Sequence, residues 1–342
     1  MNQAKVLNFF GLLLIMFGIS FAIPLFVAIF YGESLIRVFG LGMSILVLMG
    51  FLSWFFTKDN KQELSLSDGF VITVLFWIVL SVSGSIPFIL FGFGVVDSFF
   101  ESMSGITTTG ATVIAGLDDL PKSLLIYRQL LQWLGGMGLI VLAIAVMPLL
   151  GIGGGQLFKT QTPGPMSEQR LTPRITSTAR ALWSIYFVLT VLCIFAYRLA
   201  GMSYFDAVSH AFSTVSIGGF STHDLSIGFF DSLSIEIVCI TFMLLSAMSF
   251  AVHYSAIYRK QVLKYFYDPE LRFFVSLLIV ILGLVCLSLF ANDIDNPIRS
   301  GLFQTVSILT TTGFLTDEYS SWPAYISFML LVGAFIGACS GS

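Results

Sequence analysis

Apolar residues run along this chain in blocks of membrane-spanning length. A helix needs about 20 apolar residues to cross a hydrocarbon core of about 30 Å. Blocks of that kind cover residues 6–31, 35–56, 70–91, 124–150, 181–199, 234–258 and 273–291, and another opens near Pro323 and runs to Ser342. Three further blocks, 96–106, 204–215 and 297–309, are apolar but too short to cross. At about 1.5 Å per residue they reach roughly half-way through the core. Such a segment enters a membrane only where protein surrounds it, because the loop that follows carries backbone groups with no water to bond.

Each short block runs into a cluster of Thr, Ser and Gly, and a long apolar block follows. The clusters read SMSGITTTGA, FSTVSIGGF and TVSILTTTGF, and they end at Gly110, just after Gly219 and just after Gly313. A motif repeated at this scale marks one structural unit used several times. The unit predicted here is a long helix, a half-length helix with a polar loop, and a second long helix. The chain then divides into an N-terminal helix pair (1–57), a first repeat (58–150), a linker (151–180), a second repeat (181–260) and a third, incomplete repeat (261–342). The expected fold is an all-α polytopic membrane protein.

That unit is the layout of an ion pore whose filter replaces a cation's hydration shell with backbone carbonyls. Carbonyls bear dipoles and no net charge, so ions bind and also leave. Aiming successive carbonyls at one axis needs backbone angles that glycine supplies most readily, which accounts for Gly110, Gly219 and Gly313. Thr107, Thr108, Thr109, Ser216, Thr310, Thr311 and Thr312 add hydroxyl oxygens, while Ile217 and Gly218 offer backbone alone. The short helix before each loop turns its negative dipole end toward the loop. A single TTTG string is common in loops; three copies after half-length helices are specific. The competing reading is small-residue helix contact of the GxxxG kind.

Composition agrees with a membrane protein. Of 342 residues, 56% are hydrophobic and 10% charged, with mean hydropathy +0.93, against about 25% charged in soluble domains. With the N-terminus placed in the cytoplasm, inner segments hold 11 of the 16 basic residues (Lys5, Lys58, Lys61, Lys159, Arg170, Arg174, Arg180, Arg259, Lys260, Lys264, Arg272). The outer segments hold 13 of the 19 acids, among them Asp97, Glu101, Asp206, Asp231 and Asp317. Positive charge inside then turns all three Gly-rich loops outward, under an acidic vestibule that concentrates cations. Ordinary solvated loop charge explains any single acid equally well.

Other features have plainer readings. Cys193, Cys239, Cys286 and Cys339 sit in apolar blocks without CxxC spacing and read as small buried hydrophobes. His210, His223 and His253 are scattered, and no Ser/His/Asp or paired-carboxylate pattern suggests an enzyme. GIGGG at 151–155 lacks the Lys-Ser/Thr of a phosphate loop and reads as a helix end. Gly135, Gly136 and Gly138 suit close helix packing, and Arg128 is expected to snorkel to the outer interface. The first block is too long for a cleavable signal and is expected to stay as a helix. The Pro-containing linker 151–180 suits either a cytoplasmic partner or a plain surface segment.

The strings FFESMSGITTTGAT, YRQLLQWLGGMGLIVLAIAVMPLLGIGG, FDAVSHAFSTVSIGGFSTHD and LTTTGF resemble the membrane subunit of the Trk/Ktr/HKT superfamily of potassium transporters. The similarity covers nearly the whole chain, and the extra helix pair before the first repeat favours the TrkH/TrkG branch. The resemblance implies four repeats around a pseudo-fourfold pore and potassium uptake across a bacterial inner membrane. It also implies a homodimer, a cytoplasmic nucleotide-binding regulatory subunit of the TrkA type, no covalent cofactor with potassium as substrate, and no nucleic-acid partner. Filter roles carry over to Thr108, Thr109 and Gly110, to Ser216 through Gly219, and to the Thr run before Gly313. The stretch 335–342 resembles the start of an irregular gate, with Gly337, Ser340 and Gly341 in it.

Only three repeats are present in the sequence, so a truncated pore is expected. Two rivals stand beside potassium uptake at this point. One is a non-transporting remnant that folds or works only with a partner supplying the missing repeat. The other, more distant, is a secondary cation carrier with broken helices.

Overall fold

A computed structural model describes residues 3–58, 66–136, 138, 175–319 and 322–337. The gate candidates Ser340 and Gly341, with Cys339, the GIGGG run and most of the linker 151–180, lie outside the described residues. The described residues form helices joined by turns and loops, with no strand among them. Two compact units divide the chain, one built mainly from residues 1–163 and the other mainly from 181–342.

The first unit contains α1 (Gln3–Ser20), α2 (Ala22–Tyr31), α3 (Ile36–Thr57), α4 (Leu66–Phe91), the short α5 (Val95–Ile106) and α6 (Lys122–Gly136). The block 6–31 is interrupted rather than continuous, at Phe21. Pro24 explains the interruption, since it has no N–H to give the Ser20 carbonyl. α1 and α3 cross at Gly11 and Gly50, where a Cβ on Gly50 would lie 2.6 Å from the Gly11 carbonyl oxygen. Close approach of this kind is how helices associate in lipid, where apolar side chains gain nothing by leaving their surroundings. Polar crosslinks flank the crossing: Ser53 donates to the Leu7 carbonyl at 2.8 Å and Asn8 to the Thr57 hydroxyl at 3.1 Å.

The N-terminal pair is tied to α6 in two ways. Tyr127 packs edge-on against Phe21 and Phe39 with centroids at 5.2 and 5.4 Å, and its hydroxyl donates to the Gly84 carbonyl at 2.7 Å. The Glu33 carboxylate, from the turn after α2, accepts the Lys122 and Ser123 amides at 2.7 and 3.1 Å and the Ser123 hydroxyl. It thereby caps the positive end of α6.

The second unit contains α7 (Ile175–Leu199), the short α8 (Tyr204–Val215), α9 (Leu233–Ala247), α10 (Phe250–Tyr258), α11 (Lys264–Tyr267), α12 (Pro269–Ala291), the short α13 (Pro297–Leu309) and α14 (Ala324–Ile336). The block 234–258 is not one straight span: it bends by 91° between α9 and α10. Met248 is extended there (ψ 149°), and the Leu245 carbonyl accepts from His253 Nε2 at 2.8 Å instead of from a fourth-neighbour amide.

Five of the described helical stretches are long and apolar enough to cross a membrane, and the bent pair makes a sixth if counted as one span. Their outward faces carry Phe26, Phe56, Val74, Phe195 and Ile279, whereas Ser102, Ser104, Ser209, Ser213 and Thr305 on the short helices are buried. Apolar outside and polar within is the pattern for a protein solvated by lipid.

Candidate functional site

The three short helices end in the same way. Thr107, Ser216 and Thr310 close α5, α8 and α13 with φ and ψ near −80° and 0°. The next residues, Thr108, Ile217 and Thr311, are left-handed with φ of 55°, 48° and 60°. The glycines two places on, Gly110, Gly219 and Gly313, are left-handed again at 78°, 79° and 83°. Backbone bonds repeat with the angles: the amides of Thr109, Gly218 and Thr312 donate to the Ser104, Ser213 and Ser307 carbonyls at 2.9, 2.8 and 2.9 Å. Alternation between right- and left-handed angles turns successive peptide planes over, which lets neighbouring carbonyls face one side. A non-glycine residue in the left-handed region costs about 1–2 kcal/mol, and the β-branched Ile217 is among the least suited to it. Three copies of that strain at one register mark a backbone held for a purpose.

The hydroxyls of these loops are largely engaged. Thr107 Oγ1 donates to the Met103 carbonyl at 2.7 Å and lies 2.8 Å from Thr109 Oγ1. Thr310 repeats this on Val306 (2.7 Å) and Thr312 (2.8 Å), Thr311 donates to the Thr310 carbonyl, and Ser216 donates to that of Ser213 at 3.2 Å. These hydroxyls donate their protons to neighbouring carbonyls and to each other, which leaves oxygen lone pairs as acceptors beside the backbone carbonyls. Within the second unit two loops adjoin, since a Cβ on Gly219 would lie 1.9 Å from the Thr312 carbonyl oxygen. Gly228 N to Leu315 O, 2.9 Å, and Leu315 N to Ser226 Oγ, 3.1 Å, fasten the chain beyond them.

Polar clamps hold the outgoing strands. In the first unit Arg128, fully buried, donates to Glu101 Oε1 through Nε (2.8 Å) and Nη2 (2.7 Å) and to Thr112 Oγ1 at 3.0 Å. Thr112 Oγ1 donates in turn to Glu101 at 3.0 Å, and the Val113 amide adds 3.2 Å. Arg128 thus does not snorkel. Its charge turns inward because a carboxylate one helix away offers two charge-assisted bonds.

In the second repeat Asp206 is the hub. Ser203 Oγ and Thr222 Oγ1 donate to it at 2.6 and 2.9 Å, and His223 Nε2 lies at 3.5 Å. Burial pushes the Asp206 carboxyl up, but the bonds from His223, Ser203 and Thr222 outweigh it and hold the group well below the usual carboxylate range. The histidines that look scattered in sequence partly converge: His210 and His223 both pack 5.4 Å from Phe230. Farther out, Arg299 of α13 binds Glu236 of α9 at 2.7 Å and Asp231 at 2.9 Å, linking the second repeat to the third.

Among the sequence-predicted residues, Gly135 is in close packing as expected; a Cβ there would lie 1.8 Å from the Ile106 carbonyl oxygen. Gly337 stands in the same relation to Leu309, at 2.0 Å. Cys193 and Cys239 are buried and Cys286 half-buried, all with free thiols. Among the described residues no three His, Cys, Asp or Glu side chains gather as a metal site. Sequence reasoning missed the left-handed Thr108, Ile217 and Thr311, for which a shared register was the only signal. It also missed the clamp residues Glu101, Thr112 and Arg128, whose signal was a lone acid and a lone base set in apolar blocks.

Known proteins share this arrangement. The family model described as TrkH, a cation transport protein, matches residues 35–342. The Trk system potassium uptake protein TrkH of Halomonas elongata is 47% identical over all of this chain and 72% of its own length. TrkG of Escherichia coli K12 is 42% identical over 97% of the chain and 70% of its own length. The crystal structure of the potassium transporter TrkH from Vibrio parahaemolyticus superposes with a TM-score of 0.88 at 44% identity, covering all of this chain and 72% of that one. Half-length helices ending in strained glycine loops, a family match over most of the residues and this level of identity lead to one conclusion: the chain belongs to the TrkH family of cation transport proteins.

Proposed function

We propose that the chain takes up potassium across a bacterial inner membrane through a channel-like pore. The carrying observation is the filter backbone, repeated three times with the same alternation of handedness at Thr107–Gly110, Ser216–Gly219 and Thr310–Gly313. Potassium is the substrate, and Thr107, Thr108, Thr109, Gly110, Ser216, Ile217, Gly218, Gly219, Thr310, Thr311, Thr312 and Gly313 line its path. Uptake follows the membrane potential, which supplies about 2.3 kcal/mol per charge for each 100 mV, roughly fifty-fold accumulation. The uptake reading is supported by relatives named for potassium uptake at 42–47% identity.

In this reading the N-terminus is cytoplasmic and the filter loops open outward, which the distribution of Lys and Arg supports. The gate comprises Gly337, Ser340 and Gly341. Gly337 supports the assignment because α14 ends there, against the carbonyl that closes α13. A homodimer and a cytoplasmic nucleotide-binding subunit of the TrkA type complete the proposed assembly.

The test is rubidium uptake and potassium-limited growth in a bacterium stripped of its own potassium uptake, expressing this chain with or without the TrkA-type subunit. Uptake that disappears in Gly110→Val, with membrane expression unchanged, is the expected outcome. Equal uptake by chain and variant would refute the filter assignment.

A further inference from the structure

We propose that the residue nine places before each filter glycine is a positioning residue that straps the outgoing filter strand to its short helix, and that the three straps set ion selectivity. The proposal rests on the filter assignment above. Glu101, His210 and Gln304 stand nine residues before Gly110, Gly219 and Gly313, and all three side chains are fully buried. Each reaches forward across the loop it precedes. Glu101 accepts from Thr112 Oγ1 at 3.0 Å and from the Val113 amide at 3.2 Å. His210 Nε2 lies 2.9 Å from Ser221 Oγ. Gln304 Nε2 donates to the Asp317 carbonyl at 3.2 Å.

Thr112 and Ser221 both stand two residues past the glycine, so the first two straps have the same register at both ends. An acid, an imidazole and an amide share one position and one task. Each group is costly to bury without a partner, and each has one beyond its loop, although Gln304 Oε1 itself accepts no bond among the described residues. The orientation of His210 follows from its surroundings: Nδ1 faces the Asp206 carbonyl at 2.9 Å and carries the proton, so Nε2 accepts from the Ser221 hydroxyl. Ser221 Oγ then accepts the His223 amide at 3.1 Å, which extends the strap outward.

The physical role follows from the strain at the loops. Thr108, Ile217 and Thr311 are left-handed against their intrinsic preference, so the filter backbone holds its shape only while something beyond it restrains both ends. One end is the short helix. The other is the strand after the glycine, which the strap ties to that same helix. A slackened strand lets the carbonyl ring widen or contract, and a ring that adapts to the ion discriminates poorly between ions of different radius.

The test exploits the equivalence of the three positions. His210→Gln and Gln304→His exchange one strap chemistry for another, whereas His210→Ala and Gln304→Leu remove the strap and leave no buried charge. The readout is inhibition of rubidium uptake by sodium in cells expressing the full chain. The expectation is that the removing variants raise sodium's relative potency on the order of fivefold, the ratio one net hydrogen bond represents, and that the exchanging variants stay near the parent. If a removing variant does not transport, the same ratio is read from the potassium- against sodium-dependent shift in melting temperature of the purified protein. Unchanged ratios in His210→Ala and Gln304→Leu, alongside a changed ratio in Gly110→Ser, would overturn the straps and keep the filter. An unchanged ratio in Gly110→Ser as well would remove the filter assignment itself.

Discussion

The Glu101–Arg128 pair is a buried ion pair in the first unit, and breaking it carries a calculable energetic consequence. Both side chains are fully buried, and the guanidinium makes two bonds to one carboxylate oxygen at 2.7 and 2.8 Å. Replacing Arg128 by Met leaves the Glu101 carboxylate with only the Thr112 hydroxyl and the Val113 amide as donors. A buried charge stripped of its ionic partner destabilises by about 3–5 kcal/mol. Glu101→Gln removes the carboxylate that the Arg128 guanidinium bonds and is expected to fall in the same range. The double variant removes both charges, and neutral replacement of a buried pair is often close to neutral in stability. The double variant is therefore expected to be more stable than Arg128→Met alone, with a coupling of at least about 2 kcal/mol. Unfolding of the detergent-solubilised protein, followed by tryptophan fluorescence across the four members of the cycle, measures that coupling. Strictly additive losses would show that the two groups do not depend on each other, and the account of Arg128 turning inward would fail.

Three further outcomes follow from particular contacts. Gly219→Ala adds a Cβ that would lie 1.9 Å from the Thr312 carbonyl oxygen, at a φ of 79°; rubidium uptake is expected to be lost while surface expression persists, and uptake at parental level would contradict the adjoining of these two loops. Asp206 has a depressed carboxyl, so its stabilising effect is complete above the ordinary carboxylate range near pH 4 and fades as pH falls through its lower folded value. Melting temperatures of the parent and Asp206→Asn should thus differ at neutral pH and converge only as pH falls well below about 4. His253→Leu deprives the Leu245 carbonyl and the Tyr265 hydroxyl of partners at 2.8 and 2.7 Å and is expected to cost about 1–3 kcal/mol, read from the same fluorescence unfolding; a smaller loss than Tyr265→Phe would assign the bend to other contacts.

Helix positions were legible in this sequence because burial in lipid is recorded in one dimension. Runs of apolar residues gave the long helices, and the short blocks lie where α5, α8 and α13 are found. What stayed hidden depends on partners distant in sequence. The bend at Met248 and Ser249 has no proline or glycine to announce it; the compensating imidazole comes from His253 and is held by Tyr265 in another helix. Arg128 looks like an interfacial base until Glu101 is found beside it, 27 positions away. The break at Phe21 was readable in principle from Pro24. The left-handed threonines and Ile217 were not, because nothing about those residue types favours φ above zero.

The seating of the Gly-rich loops and the interruptions of helices that follow them share one physical cause. Gly135 and Gly337 occupy positions where a Cβ would collide with the last carbonyls of α5 and α13, those of Ile106 and Leu309, each four residues before the left-handed glycine of its loop. The runs GGMG at 135–138, SAMS at 246–249 and GACS at 337–340 put small residues in corresponding places in all three repeats. Small side chains let the following helix press against the end of the short one, which fixes the start of the Gly-rich loop. The same residues hold a helix weakly, with glycine costing about 1 kcal/mol relative to alanine. In the second and third repeats the helical run stops there: α9 gives way to α10 through a 91° bend, and α14 ends with Gly337 in extended conformation (ψ 171°). Close support for the end of the short helix therefore carries with it a weak point in the helix beside it, and a break at that level needs no separate sequence signal.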